Sequence, residues 1–404
     1  MVNTIRPQNY SKNPCIKLFK ARYQSLILKG YLFAPKTGVS HYDTIIFTFN
    51  TLILEFLNSF VLASILPIHI MQRSFHKAVK KNNVLSKVNS ISRKHSNENI
   101  TSVAILMSVH NGARFISEQI NSIVAQSHSN IRLYISEDNS SDGSNVIVRH
   151  FIKHSAKKIS INDVNNNNFC KSFLQLACDK KIKSDYYAYA DQDDIWEQDK
   201  LKVALEFLQT IPEDTPALYC SRTTIVDKDN QTLFLSPLFK RAPSFANALV
   251  QNIGGGNTMV FNLAAKKLLE KASSNIKVPS HDWWTYMLVL GCGGKVFYDT
   301  NPYIRYRQHD ANLVGANNSI GARFTRMQML FAGRFKKWND QNIAALKTIE
   351  DQLTPESQIL LSKFASARGK SLFARIVGIK KSGVYRQTTF GNIGLLIASV
   401  FNKI

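Results

Sequence analysis

From Ser102 onward, apolar positions fall into short runs separated by polar, turn-rich segments. Residues 103–107 form a continuous apolar run of the buried-strand type. Phe115, Ile116, Ile120, Ile123 and Val124 recur at helical spacing and predict a helix over 113–126. The pattern then reads as a strand at 131–135, a helix at 146–154, a strand at 158–161, a helix at 169–178 and a strand at 186–190. This alternation predicts an α/β fold with a mostly parallel, doubly wound sheet. Beyond it the pattern predicts a helix at 200–208, strands at 217–220, 223–226 and 259–261, and an Asn262-capped helix at 263–271. A helix from His281 to about Leu290 and an extended stretch at 298–307 follow, and residues 320–404 read as mostly helical.

Polar residues at the strand ends carry the candidate chemistry. Asp191, Gln192, Asp193 and Asp194 directly follow the apolar run 186–190. In α/β sheets the carboxyl ends of the strands are where ligands bind. Hard oxygen ligands clustered there suit a divalent cation and a phosphate-bearing substrate. The competing reading is an acidic turn that caps the next helix through Asp194. A second acidic turn, Glu137 to Gly143, follows the strand at 131–135, and four consecutive asparagines, 165–168, read as a loop. Gly254, Gly255 and Gly256 lack the Lys-Ser/Thr ending of a phosphate-binding loop and read as a place where the backbone approaches a bound substrate closely.

The ends of the chain differ from its middle. Residues 45–66 are the longest apolar stretch, about 33 Å as a helix, but Thr48, Thr51, Glu55, Asn58 and Ser59 place a polar stripe along it. A membrane span and an amphipathic or packed helix are both open. Of the net charge of +23, residues 1–100 hold 14 Lys and Arg against 3 Asp and Glu, and residues 363–404 hold 8 Lys and Arg with no acid. Basic ends point to nucleic acid, an anionic membrane or a phosphorylated substrate. The absence of a zinc knuckle, a helix-turn-helix or interleaved aromatic and basic residues argues against nucleic acid. The 5 cysteines form no CxxC pair and no zinc spacing, which fits free thiols in a reducing compartment. No secretory signal is predicted, because the first 30 residues are basic throughout with no apolar h-region.

Five motifs in order carry a resemblance: Ser108-Val109-His110-Asn111-Gly112, Glu137 to Ser144, Asp191 to Trp196, His281-Asp282-Trp283-Trp284, and Tyr306 to Asn312. Over about residues 100–315 the chain resembles family 2 glycosyltransferases with the GT-A fold, in particular the bacterial rhamnosyltransferase-like branch. The resemblance implies a GT-A catalytic domain at 100–318, flanked by a basic, weakly structured extension at 1–99 and a helical, basic, membrane-associating region at 319–404.

The resemblance also implies roles. Asp193 would ligate Mn2+ or Mg2+, Asp191 would contact the ribose or the metal, and His309 would be a further metal ligand or diphosphate contact. Asp138 would accept the ring N–H of uracil or thymine, sharing the site with Glu137, and His110 would stack on the base. Asn111 and Gln192 fall within the same nucleotide motifs. Lys171, Arg305 and Arg307 are candidate phosphate contacts. Asp282 would be the general base of an inverting transfer, with Trp283 and Trp284 divided between sugar wall and core. The implied donor is a dTDP- or UDP-sugar, with rhamnose a candidate. The implied acceptor is a lipid-linked glycan or envelope polysaccharide at the cytoplasmic face of the bacterial inner membrane. A sugar nucleotidyltransferase and a non-catalytic membrane-bound assembly protein are the alternative readings.

Overall fold

Alternation within one strand sets the layers. In β1 (Val103–Val109), Val103, Ile105 and Met107 join one buried cluster and Ala104 and Leu106 another, as a period of two requires. Each fully buried aliphatic side chain contributes about 1.5–3 kcal/mol, so the first strand alone anchors both faces of the sheet. The computed structural model describes residues 101–272, 276–309, 328 and 332–404. The predicted extension at 1–99, its apolar helix at 45–66, and Asp310, Ala311 and Asn312 lie outside the described residues.

The remaining strands are β2 (Ile131–Asp138), β3 (Lys158–Val164), β4 (Tyr186–Ala190), β5 (Ile195–Trp196), β6 (Ala217–Val226), β7 (Thr232–Leu235), β8 (Val260–Asn262) and β9 (Lys295–Arg307). Their order is β3-β2-β1-β4-β8-β6-β9-β5, with β7 on β6. Only the segment β3-β2-β1-β4 is a run of parallel strands. β8 pairs antiparallel with both β4 and β6, β6 and β9 are parallel, and β5 is antiparallel to β9. The expected mostly parallel, Rossmann-like sheet is thus corrected to a mixed one. The two strands expected at 217–220 and 223–226 are one strand, bent where its pairing with β9 shifts register. A bulge or register shift continues a strand while changing its direction, which a pattern of two apolar runs does not distinguish from a break.

The helices are α1 (Ile116–Val124), α2 (Ser144–His154), α3 (Phe169–Cys178), α4 (Lys200–Leu208), α5 (Phe245–Ala248), α6 (Leu263–Ala272) and α7 (His281–Gly291). The C-terminal extension adds α8 (Arg334–Lys347), α9 (Pro355–Arg368), α10 (Leu372–Ser382) and α11 (Thr389–Val400). Asn262 caps α6 as expected, its Oδ1 accepting from Ala265 N at 3.0 Å. The α1 side of the sheet buries Ile116, Ile120, Ile123, Leu201 and Leu205. The α7 side buries Trp284, Met287 and Leu288 together with Leu346, Phe364 and Leu395 of the C-terminal helices. Trp283 and Trp284 are therefore both core, and neither forms a sugar wall. Trp283 donates its indole N–H to Ala248 O at 2.6 Å and meets Trp338 edge-on.

β1, β2 and β4 are parallel, so their C-terminal ends open on one edge of the sheet. From β1 the chain winds outward to β2 and β3, and it returns on the other side at β4. The switch point therefore lies between the ends of β1 and β4, where a crevice forms in such sheets.

Candidate active site

The ends of β1 and β4 are stitched by one amide. His110 N donates to Gln192 Oε1 at 2.9 Å, and Gln192 Nε2 donates to His110 O at 3.0 Å. A side chain on Gly112 would collide with this same amide, so the glycine is what admits Gln192. Asn111 holds a left-handed conformation, φ 50°, and its Oδ1 accepts from Ser141 N at 2.8 Å. Gly112 N donates to Ser144 Oγ at 2.8 Å and Ala113 N to Asp142 Oδ2 at 2.8 Å. The loops after β1 and β2 thus form one laced surface, and His110 Nδ1 sits 2.7 Å from Asp138 O.

The two acids of the β2 motif are buried and engaged. Glu137 Oε1 accepts from Ser140 N at 2.8 Å and closes its own turn. Asp138 accepts from Asn166 N, Asn167 N, Asn168 N and Ser172 Oγ at 2.6–3.2 Å. Burial raises the Asp138 pKa, but these four bonds outweigh it and hold the carboxyl below its ordinary value. The asparagine run is therefore folded around the Asp138 carboxylate. Asn168 also caps α3, whose first turn presents the exposed Lys171.

The acidic motif splits by depth. Asp191 and Asp193 are partly buried and Asp194 is fully buried. Asp193 Oδ2 is 2.8 Å from His309 Nε2. Burial, followed by the Asp193 and Asp282 carboxylates, holds the Asp191 carboxyl above the ordinary range. Asp194 is not a helix cap. Its Oδ2 accepts from Asn257 Nδ2 and its Oδ1 from Arg307 N at 3.2 Å, and the chain continues into β5.

Arg307 is likewise not a phosphate contact. Its guanidinium is buried, donating to Asp193 O at 3.0 Å, Lys228 O at 2.7 Å and the Glu118 carboxylate. Desolvation of a cation at this depth is affordable only with such a full set of acceptors. Arg305 pairs with Glu197 at 2.8 Å.

Asp282 opens α7. Its Oδ2 accepts from Gly256 N at 3.1 Å and its Oδ1 from Trp283 N at 2.7 Å. The helix is preceded by Ser280, so Asp282 lies within the first turn and not at the cap. The glycine run has a packing cause: a Cβ on Gly256 would stand 2.5 Å from His281 Nε2 and 3.3 Å from Asp282 Cβ. His281 itself is buried, stacked on Phe173 at 4.0 Å, and neither ring nitrogen has a hydrogen-bond partner. Burial, opposed by Asp282, pushes its pKa down to about 4, so the ring is neutral at pH 7.

Asp193 and His309 bring a carboxylate oxygen and an imidazole nitrogen within 2.8 Å of each other, donor types that divalent metals accept. Among the described residues no three His, Cys, Asp or Glu side chains gather into a metal-holding group. Asp191, Asp193 and His309 are therefore not assembled as the expected trio. Asn257, Glu118 and Gln119, whose Nε2 donates to Asp191 O at 2.9 Å, were missed in the sequence. Of these only Asn257 carries a signal, its place directly after the glycine run.

Residues 104–268 match the family described as Glycosyl transferase family 2. The chain is 29% identical over 238 residues to dTDP-rhamnosyl transferase RfbG of Shigella flexneri, covering 55% of this chain and 78% of that one. It is 23% identical over 268 residues to an uncharacterized glycosyltransferase of Rickettsia typhi, covering 65% of this chain and 80% of that one. Similar solved structures include S. aureus TarS in complex with UDP-GlcNAc, at 13% identity, TM-score 0.45 and coverage of 75% of this chain and 89% of that one. Mannosyltransferase PcManGT from Pyrobaculum calidifontis, in complex with GDP-Man and Mn2+, aligns at 18% identity and TM-score 0.42, covering 75% and 87%. On the family match and the similarity to RfbG, this chain carries a family 2 glycosyltransferase domain, and that domain is an enzyme.

Proposed function

We propose that the enzyme transfers a sugar, with inversion and with a divalent cation, from a nucleoside-diphosphate donor to a membrane-linked glycan in bacterial envelope synthesis. One observation carries this reading: Asp193 and His309, 116 residues apart in the chain, meet at 2.8 Å. They do so beside Asp191, whose carboxyl feels both Asp193 and Asp282.

Asp282 takes the proton of the acceptor hydroxyl. The acceptor oxygen bonds to the anomeric carbon as the bond from that carbon to the diphosphate oxygen breaks, and the nucleoside diphosphate departs. The Gly256 N–H fixes one Asp282 oxygen during this step. Asp193 and His309, with Asp191 nearby, would hold Mn2+ or Mg2+, which when bound neutralises the charge that develops on the departing diphosphate. His110 stacks on the base, and Asn111, Gln192 and the exposed Lys171 line the nucleotide. Asp138 and Glu137 act on the base through the loops they hold.

A dTDP donor, and rhamnose as the sugar, are supported by the similarity to the Shigella rhamnosyl transferase. The acceptor side is supported by α10, where Phe373 is 81% and Val377 49% exposed beside the exposed Lys380 and Lys381. Apolar and basic residues on one face suit an anionic membrane surface. Arg375 and Ile379 of the same helix are buried, with Arg375 donating to Ser399 O at 2.6 Å. Among the described residues no helix is long and apolar enough to cross a membrane; the proposed attachment, at the cytoplasmic face, is peripheral or through a single anchor. A panel of dTDP- and UDP-sugars, incubated with the full chain and Mn2+, tests the donor assignment. Turnover of dTDP-rhamnose above the others is expected, and no turnover of any nucleotide-sugar would refute it.

A further inference from the structure

We propose that Asp194 is a positioning residue that ties Asp193, Asp282 and His309 into one unit; the inference rests on the reading of those three as the reacting groups. Three links meet at this residue, two of them on its carboxylate. The first is covalent, since Asp193 precedes it. The second runs through Oδ2 to Asn257 Nδ2 at 2.5 Å. Asn257 neighbours Gly256, whose N–H holds Asp282 Oδ2 at 3.1 Å. The third runs through Oδ1 to the main-chain N–H of Arg307 at 3.2 Å. Two residues further on, His309 Nε2 reaches Asp193 Oδ2 at 2.8 Å.

The chemistry requires a carboxylate at this position. Both contacts ask for an acceptor, and only a carboxylate presents two acceptor oxygens. An amide keeps one and turns an NH2 toward either the Asn257 NH2 or the Arg307 N–H. The site is sealed, since Asp194 and Asn257 are both buried, so water does not substitute for a lost acceptor. Lys200, buried beside Trp196, takes up neither oxygen. Its Nζ lies 3.4 Å over the Trp196 ring and has no hydrogen-bond partner. The consequence is mechanical: the turn carrying Gly256 and the end of β9 are held to the same two oxygens, so Asp282 and His309 keep one spacing.

The full-length chain carrying Asp194→Asn tests this. Its kcat is expected to fall ~10- to 100-fold, the scale typical for residues that orient ligands from behind. The calorimetric affinity for dTDP and UDP without added metal stays near wild type, because the loops after β1 and β2 that hold the base do not touch Asp194. Combining it with Asn257→Asp regenerates the pair with the donor reversed and restores most of kcat. Wild-type kcat in Asp194→Asn overturns the inference, as does a folded double variant with unchanged nucleotide affinity that recovers nothing. Should Asp194→Asn not fold, Asn257→Ser is measured in its place, with the same kcat loss expected and unchanged kcat overturning the claim. Wild-type transfer by Asp282→Asn would instead refute the reading of the site, whatever Asp194 does.

Discussion

His309 Nε2 lies 2.8 Å from Asp193 Oδ2, with both side chains less than one-fifth exposed. The contact is a product of sheet pairing. β9 runs parallel to β6 and antiparallel to β5, and it ends at Arg307. The Arg307 guanidinium then grips Asp193 O, so the main chain on both sides of the contact is fixed before either side chain is considered.

If this pair binds the cation, removing the imidazole weakens Mn2+ and leaves the nucleotide base site intact. His309→Ala is expected to raise the Mn2+ concentration needed for half-maximal transfer by about 10-fold or more. EDTA-stripped protein retitrated with Mn2+ gives the value, and the shift of melting temperature with Mn2+ gives a second readout. An unchanged Mn2+ requirement would remove His309 from the metal site.

Gly112 admits the Gln192 amide that joins the ends of β1 and β4. Gly112→Ala forces that amide away and breaks two hydrogen bonds, each worth about 0.5–1.5 kcal/mol net. The expected outcome is a donor KM raised about 10-fold with kcat reduced far less, checked by dTDP calorimetry. A wild-type KM would show that the β1–β4 stitch does not shape the nucleotide site.

His281 gives the fold a defined response to acid. Its folded pKa of about 4 lies below the ordinary 6.5, because burial disfavours the charged ring. The unfolded chain therefore binds more protons between these values, so stability falls as pH drops from about 6.5 toward 4. Between pH 7 and pH 5 this one group accounts for about 2 kcal/mol of lost stability. His281→Phe, which keeps a ring against Phe173, is expected to flatten the urea-unfolding free energy over that range. An equally steep profile in the variant would assign the acid response to other groups.

The site was legible in the sequence where it depends on order along the chain, and illegible where it depends on depth. The strand ends that present His110, Glu137, Asp138 and Asp191 follow from apolar runs and the turns after them. Nothing in Asp191-Gln192-Asp193-Asp194 distinguishes a partly buried carboxylate from a fully buried one. That difference arises from β5 and β9, which pair far apart in the chain, Ile195 with Arg305 and Trp196 with Ile304. Arg307 reads as a phosphate contact for the same reason: its acceptors Glu118, Asp193 O and Lys228 O come from three separate segments. Trp283 and Trp284 illustrate the converse, since a tryptophan pair suits a sugar wall or a core equally, and only the packing of α8 and α9 on α7 decides for the core. The mixed sheet was hidden because β8 is 3 residues long and periodicity carries no strand direction.

Asp193→Ala is the most direct test of the central claim that this carboxylate holds the cation on which sugar transfer depends. Sugar transfer from the preferred nucleotide-sugar is measured with EDTA-treated protein and added Mn2+. The account predicts a folded protein, with wild-type melting behaviour to within about 1 kcal/mol, that binds dTDP but transfers no sugar at any Mn2+ concentration. Full activity in that variant would contradict it.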